Sequence, residues 1–218
     1  MEAGRGRRPL VYKGEELRCS WRFEEEARAA GFRCIAGVDE VGRGALCGPV
    51  VAGAVVLSDT FATDGIDDSK RLTRKQRERL AEGIRVGARA AAIGFAEPWE
   101  IDRHNILQAT HLAMRRALEA LPCRPDHILV DGFVIRELEV SQRAVVKGDA
   151  LSYSIAAASI VAKVRRDAIM QDWDQKCPGY GLARNMGYGS REHLEALQQR
   201  GPSEIHRRSF TGTQPWLF

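Results

Sequence analysis

From Cys34 to Leu57 the chain reads CIAGVDEVGRGALCGPVVAGAVVL, two runs rich in β-branched and small residues, separated by glycines and Pro49. Branched side chains suit a pleated strand, and Gly and Pro punctuate it, so the stretch predicts two antiparallel strands joined by an irregular turn. The sheet begins here. Downstream, Leu72–Val86 reads as a helix with a threonine at its cap, and Arg89–Ala96 as a strand. Asn105 caps an amphipathic helix that runs to Pro122. His127–Gly132 is a short buried strand ending in an acid, and Arg143–Val146 another. Ser152 to about Asp172 is a helix whose Ala156-Ala157-Ala158 allows close packing on a sheet. Strands and helices alternate, yet the first two strands form a hairpin. The expected class is therefore α/β, a mixed β-sheet flanked by helices.

Upstream, residues 1–33 are charged and weakly periodic, with Trp21-Arg22-Phe23 and Glu24-Glu25-Glu26 suggesting a short helix, and read as an N-terminal appendage. With 218 residues, 44% of them apolar, the chain can bury a core, so one domain with appendages is expected. No apolar run approaches the ~18 residues of a membrane span, and no hydrophobic segment follows the charged N-terminus. A cytoplasmic protein without membrane association is the expectation. Five scattered cysteines, Cys19, Cys34, Cys47, Cys123 and Cys177, contain no C-x-x-C pair and read as reduced thiols. The net charge is +4, and residues 176–218 carry six Lys/Arg against three Glu. A basic surface that meets phosphate is one reading of that excess, and a solvated tail the other.

The chemistry lies in acids at strand ends. Asp39 and Glu40 follow Ile35-Ala36-Gly37-Val38, and Asp131 follows Ile128-Leu129-Val130. A carboxylate there is costly unless its charge is compensated, and a bound cation is the simplest compensation. Asp149, in Lys147-Gly148-Asp149, precedes the Ser152 helix, whose positive N-terminal dipole favours an anion. Oxygen-only ligands suit Mg²⁺ or Mn²⁺ rather than zinc. Gly42-Arg43-Gly44 follows the first pair at once. Its glycines let backbone approach a ligand, and its arginine offers planar donors for phosphate. It fits neither the dinucleotide nor the P-loop fingerprint.

Taken together, Val38-Asp39-Glu40-Val41-Gly42-Arg43-Gly44, Gly48-Pro49-Val50-Val51-Ala52, Asp68-Ser69-Lys70-Arg71-Leu72, Val130-Asp131-Gly132, Lys147-Gly148-Asp149 and Ala156–Lys163 closely resemble bacterial ribonuclease HII, and Ile205–Phe210 extends the match. The resemblance implies an RNase H-like fold with a C-terminal helical segment that holds substrate. It divides the chain into the appendage 1–33, a catalytic core 34–175, a substrate-holding segment 176–210 and a tail 211–218. It implies that Asp39, Glu40, Asp131 and Asp149 are catalytic and hold two cations roughly 3.5–4 Å apart. Gly42, Arg43 and Gly44 would read the ribose 2′-hydroxyl, which separates RNA from DNA. Ser69 and Lys70 would lie near the phosphate backbone, and Tyr188 beneath the sugar at the junction, with Tyr180 as the competing tyrosine. Asn185-Met186 departs from the His-Lys of the family pattern, so no phosphate contact is assigned to these two positions.

The implied reaction is hydrolysis of RNA in an RNA–DNA hybrid, or nicking 5′ to a single ribonucleotide in duplex DNA, leaving 5′-phosphate and 3′-hydroxyl ends. A related nuclease preferring longer hybrids, or a binding module with structural acids, are the competing readings. Retention of all four matched acids speaks against the second. Gln214-Pro215-Trp216-Leu217-Phe218 resembles the Gln-x-x-Leu-Phe pentapeptide that docks bacterial proteins into the sliding clamp, with Gln214, Leu217 and Phe218 as its contacts. The family resemblance also implies a monomer.

Overall fold

The computed structural model describes residues 11–12, 15–16 and 18–213. Gln214, Leu217 and Phe218, the expected clamp-binding residues, lie outside the described residues. A small antiparallel hairpin, β1 (Val11–Tyr12) and β2 (Glu15–Glu16), precedes helix α1 (Arg22–Ala29). The expected hairpin follows: β3 (Ile35–Val41) and β4 (Val50–Val56) pair antiparallel. Helix α2 (Arg74–Gly87) then starts from a reciprocal cap, in which Thr73 and Gln76 satisfy each other's backbone. It leads to β5 (Ala90–Ala96), which pairs antiparallel with β4.

Helix α3 (Pro98–Glu119) begins earlier than the sequence suggests. Asn105 does act as a cap, its Oδ1 accepting from the N–H groups of Leu107 and Gln108 at 3.0 and 3.1 Å. It sits, however, at a kink with φ 67° inside one longer helix. Pro98 at the first turn and Glu100, which accepts from the Glu97 N–H at 2.9 Å, start the preceding segment. Arg116 bridges the two segments by a two-pronged bond to Glu100, at 2.9 and 2.8 Å.

β6 (His127–Asp131) joins β3 in parallel, and β7 (Ser141–Val145) joins β6 in parallel. The sheet order is β5-β4-β3-β6-β7, so it is mixed. A single 3₁₀ turn (Gly148–Ala150) leads into α4 (Tyr153–Lys176), and α5 (Leu182–Asn185) and α6 (Arg191–Arg200) close the chain's helical end.

Alternation along the strands sorts the two faces. Ala36, Val38, Ala52, Ala54 and Val130 bury against Ala109, Ala113, Met114 and Ala117 of α3. The other face receives α4, which lies close because two glycines admit it. A Cβ on Gly37 would meet the Ser154 carbonyl carbon at 2.1 Å, and one on Gly53 the Ala158 oxygen at 2.4 Å. α1 is tied to this helix through Glu24, which is buried. Its Oε1 accepts from the Ser152 hydroxyl at 2.6 Å and the Ser154 N–H at 2.9 Å, an acid at a helix N-terminus. A second core, built from Leu46, Cys47, Met170, Tyr180, Leu182, Leu197 and Ile205, fastens α5 and α6 to the turn between β3 and β4. No helix among the described residues is long and apolar enough to cross a membrane. All five cysteines are free.

Candidate active site

Four acids from three segments meet at the C-terminal ends of β3 and β6. In the parallel β3–β6 pair Val38 lies opposite Val130, so one further step brings Asp39 beside Asp131 on the face covered by α4. Asp149 arrives on the 3₁₀ turn just before α4. Gly148 locks that turn to the strand, its N–H donating to Asp131 Oδ1 at 2.7 Å.

This cluster is electrostatically costly as it stands. Burial holds Asp39 well above the usual carboxylate range, and the neighbouring charges of Glu40 and Asp131 push the same way, opposed by a hydrogen bond from Ser159. Burial also raises Glu40, which Arg43 opposes, and it raises Asp131, to which Asp149 adds. Glu40 Oε1 accepts from Arg43 Nη1 at 3.2 Å, whereas its Oε2 is buried without a hydrogen-bond partner. A buried oxygen lacking a donor, among mutually repelling carboxylates, fits hard divalent cations with oxygen ligands.

The other expected residues surround the acids. Lys70 Nζ donates to Asp149 Oδ2 at 2.5 Å. Water is displaced around the ammonium, yet this bond raises Lys70 above its ordinary value. Ser69 is buried, with its hydroxyl 2.9 Å from that of Ser159, so it reaches the cluster through the helix rather than facing outward. Ser159 is a residue that sequence reasoning did not single out, and only its place in the Ala156–Lys163 block pointed to it. Gly42 has φ +92°, the left-handed region, and Arg43 lies over the Phe133 ring at 5.1 Å.

Tyr188 is exposed, whereas Tyr180 is buried with its hydroxyl donating to the Gly201 carbonyl at 2.8 Å. Only the first is free to meet a ligand. Asn185 has a backbone role, its Nδ2 donating to the Tyr180 carbonyl at 2.7 Å and its Oδ1 accepting from the Gly187 N–H at 2.8 Å. Leu46 N–H donates to the Gly187 carbonyl at 2.8 Å, stitching the tyrosine's turn to the glycine loop.

A second cluster, Cys47, His193 and His206, has ligand atoms within 4.8 Å of one another. Its hydrogen bonds already use the ring nitrogens a metal would need. Ser203 N–H donates to His206 Nδ1 at 3.0 Å, so His206 carries its proton on Nε2 and donates to His193 Nε2 at 3.0 Å. His193 then donates from Nδ1 to the Tyr188 carbonyl at 2.9 Å. The chain of bonds fixes the backbone of Tyr188.

A family profile described as Ribonuclease HII matches residues 36–213. A ribonuclease HII of Cereibacter sphaeroides (strain KD131 / KCTC 12085) is 55% identical over 197 residues, covering 89% of this chain and 92% of that protein. Among solved structures, the ribonuclease H2 of Pyrococcus horikoshii OT3 superposes with a TM-score of 0.71 at 31% identity, over 83% of this chain and 95% of that one. A structure of the PCNA:RNase HII complex from Archaeoglobus fulgidus gives 0.69 at 30% identity, over 84% of this chain and 98% of the matched one.

Proposed function

The chain belongs to the ribonuclease HII family, and from that premise we propose that it nicks duplex DNA on the 5′ side of an embedded ribonucleotide as well as hydrolysing the RNA of RNA–DNA hybrids. It is a metal-dependent ribonuclease. The observation that carries the finer reading is the convergence of Asp39, Glu40, Asp131 and Asp149 beside the Gly42-Arg43-Gly44 loop, with Glu40 Oε2 buried and unpartnered.

Asp39, Glu40, Asp131 and Asp149 would hold Mg²⁺ or Mn²⁺ through oxygen ligands. When bound, a pair of such cations supplies an activated water on one side of the phosphate and charge neutralisation at the leaving 3′-oxygen on the other. The remaining work belongs to the chain's own groups. Arg43 fixes Glu40 through Oε1, leaving Oε2 for the cation. Lys70 brings a positive charge to the edge of the cluster, where the scissile phosphate would lie. Gly42, Arg43 and Gly44 read the 2′-hydroxyl by close backbone approach. Tyr188, whose ring is exposed, supports the sugar at the junction. In-line hydrolysis leaves 5′-phosphate and 3′-hydroxyl ends.

The deciding experiment is cleavage of a labelled DNA duplex containing one ribonucleotide, with Mg²⁺ or Mn²⁺, beside an all-DNA duplex. A single nick 5′ to the ribonucleotide is expected. Cutting of a long hybrid alone would replace this reading by the long-hybrid one.

The tail Gln214-Pro215-Trp216-Leu217-Phe218 docks, in this reading, into the bacterial sliding clamp. The pentapeptide pattern supports it, as does the archaeal relative, whose structure is a complex with PCNA. Deleting Trp216-Leu217-Phe218 abolishes clamp binding if the reading holds, and unchanged affinity overturns it.

A further inference from the structure

Two arginines far apart in the chain, Arg166 of α4 and Arg207 of the closing segment, are wholly buried, at 0% exposure each. Neither has a carboxylate partner among the described residues. All their hydrogen bonds run to backbone carbonyls. Burying two unpaired cations is expensive, so a chain that does so gains something specific in return.

The acceptors show what that is. Arg207 Nη2 donates to the Gly42 carbonyl at 2.7 Å and Nη1 to the Arg43 carbonyl at 2.8 Å. Its Nε and Nη2 also donate to Gly48 O at 3.0 and 2.8 Å. Arg166 donates to Pro49 O at 3.1 Å, Cys47 O at 3.1 Å and Met186 O at 2.8 Å. Its guanidinium also lies 5.5 Å from the centre of the Tyr188 ring. A Cβ on Gly42 would strike Arg166 Nε at 2.1 Å, so the loop rests directly on this side chain. Burial, and then Arg166, press Arg207 down to about 9, which leaves it a cation at neutral pH.

A trans peptide is planar, with its C=O and N–H pointing in opposite directions. Because Arg207 draws the carbonyls of Gly42 and Arg43 inward, the N–H groups of Arg43 and Gly44, which belong to the same two peptide units, point away from it. Neither N–H has an acceptor among the described residues. A Cβ on Gly44 would meet nothing within 4 Å, so that side of the loop is open.

We propose that Arg207, seated beside Arg166, is a positioning residue for ribonucleotide recognition: it turns two peptide units so that the Arg43 and Gly44 amides stand as preformed donors to the 2′-hydroxyl oxygen. This rests on the reading of Gly42-Arg43-Gly44 as the 2′-hydroxyl sensor. Lysine cannot replace Arg207, because a flexible ammonium does not reproduce a planar fork serving three carbonyls at once.

The test combines kinetics with amide hydrogen exchange on the full chain. In the wild-type protein without divalent metal, the Arg43 and Gly44 amides exchange freely and become protected by a duplex containing one ribonucleotide, but not by an all-DNA duplex. In Arg207→Lys that selective protection is lost and kcat on the single-ribonucleotide duplex falls by about 100-fold, the scale of a misplaced recognition group. The affinity for all-DNA duplex stays within about two-fold, because backbone-phosphate contacts carry that binding. Arg207→Gln, which lacks the charge as well, is expected to be at least as impaired. No selective protection in the wild-type protein defeats the sensor reading itself. Selective protection and wild-type kcat retained in Arg207→Lys leave the sensor reading standing and overturn the role of Arg207. A loss that tracks only the fraction folded, with all-DNA affinity falling in parallel, overturns it too.

Discussion

Lys70 and Asp149 stand 2.5 Å apart, an ammonium set against one acid of a cluster that otherwise repels itself. The same cation would serve two competing purposes, occupying a carboxylate oxygen before metal binds and meeting phosphate afterwards. Lys70→Ala is therefore expected to act in opposite directions. Mn²⁺ affinity rises by about two- to five-fold, the worth of a partly exposed ion pair. kcat/KM falls by about ten-fold for loss of a charged hydrogen bond to the substrate. Calorimetric titration with Mn²⁺ and steady-state cleavage check the two halves. Weaker Mn²⁺ binding in Lys70→Ala would show that Lys70 holds the acids together instead.

Asp131 offers the cleanest removal of charge. Its Oδ1 accepts from the Gly148 N–H, a bond that an asparagine oxygen can keep, so Asp131→Asn retains the turn that carries Asp149. Substrate affinity is expected to stay near normal. Turnover in Mg²⁺ drops by about 100-fold or more, because several kcal/mol of metal-borne stabilisation go with the ligand. Single-turnover cleavage with a separate binding measurement checks this, and near-normal turnover would remove Asp131 from the site.

The fold was legible where residue pattern and local geometry coincide. The Cys34–Leu57 hairpin, the Thr73 cap and the Ser152 helix all declare themselves within a dozen residues. Asn105 shows the limit, since it caps as the pattern predicts, yet the pattern places no helix before it, where Pro98 and Glu100 start one. Asp39, Glu40 and Asp131 were legible as candidates because a carboxylate at the end of an apolar strand is conspicuous, and Asp149 because it stands just ahead of the Ser152 helix. Arg166 and Arg207 were not, because an arginine in sequence reads as a solvated charge. Apart from Met186, their acceptors, Cys47, Pro49, Gly42, Arg43 and Gly48, lie more than a hundred positions away. The His193–His206 pair is close in the chain, yet it was hidden because nothing local announces which nitrogen faces which.

Close approach of helix to sheet makes a further pair of substitutions informative. A Cβ on Gly94 of β5 would meet the Ala113 oxygen at 2.1 Å and the Ala117 nitrogen at 2.4 Å, both backbone atoms of α3. Gly94→Ala is expected to destabilise the fold by about 1–3 kcal/mol, since neither element can give way without repacking the core. Gly83, exposed in α2, has nothing within 4 Å of the same position. Gly83→Ala should stabilise by about 0.5–1 kcal/mol through helix propensity alone. Urea unfolding of both variants tests the contrast, and equal effects would mean that α3 does not press on β5 as described.

The histidine pair predicts how stability depends on pH. Burial, with His193 close by, lowers His206 from 6.5 to about 4, and burial lowers His193 as well, against its hydrogen bond to the Tyr188 carbonyl and the charge of Glu192. An unfolded histidine takes up its proton near pH 6.5, while folded His206 does so only near 4. The pair's contribution is thus fully present above pH 6.5 and declines as the pH falls toward 4. Asp39, Glu40 and Asp131, raised in the folded state, work in the opposite sense over part of this range, so the quantity to measure is a difference. The melting temperature of the wild-type chain minus that of His206→Asn should shrink steadily from pH 7 to pH 4. Because protonation of His193 Nε2 also removes the acceptor for His206 and so unfastens the ring that holds the Tyr188 carbonyl, KM for the ribonucleotide duplex should rise in the wild-type protein as the pH is lowered. A difference in melting temperature that is flat across that range would show that the two rings do not share their proton as the hydrogen bonds require.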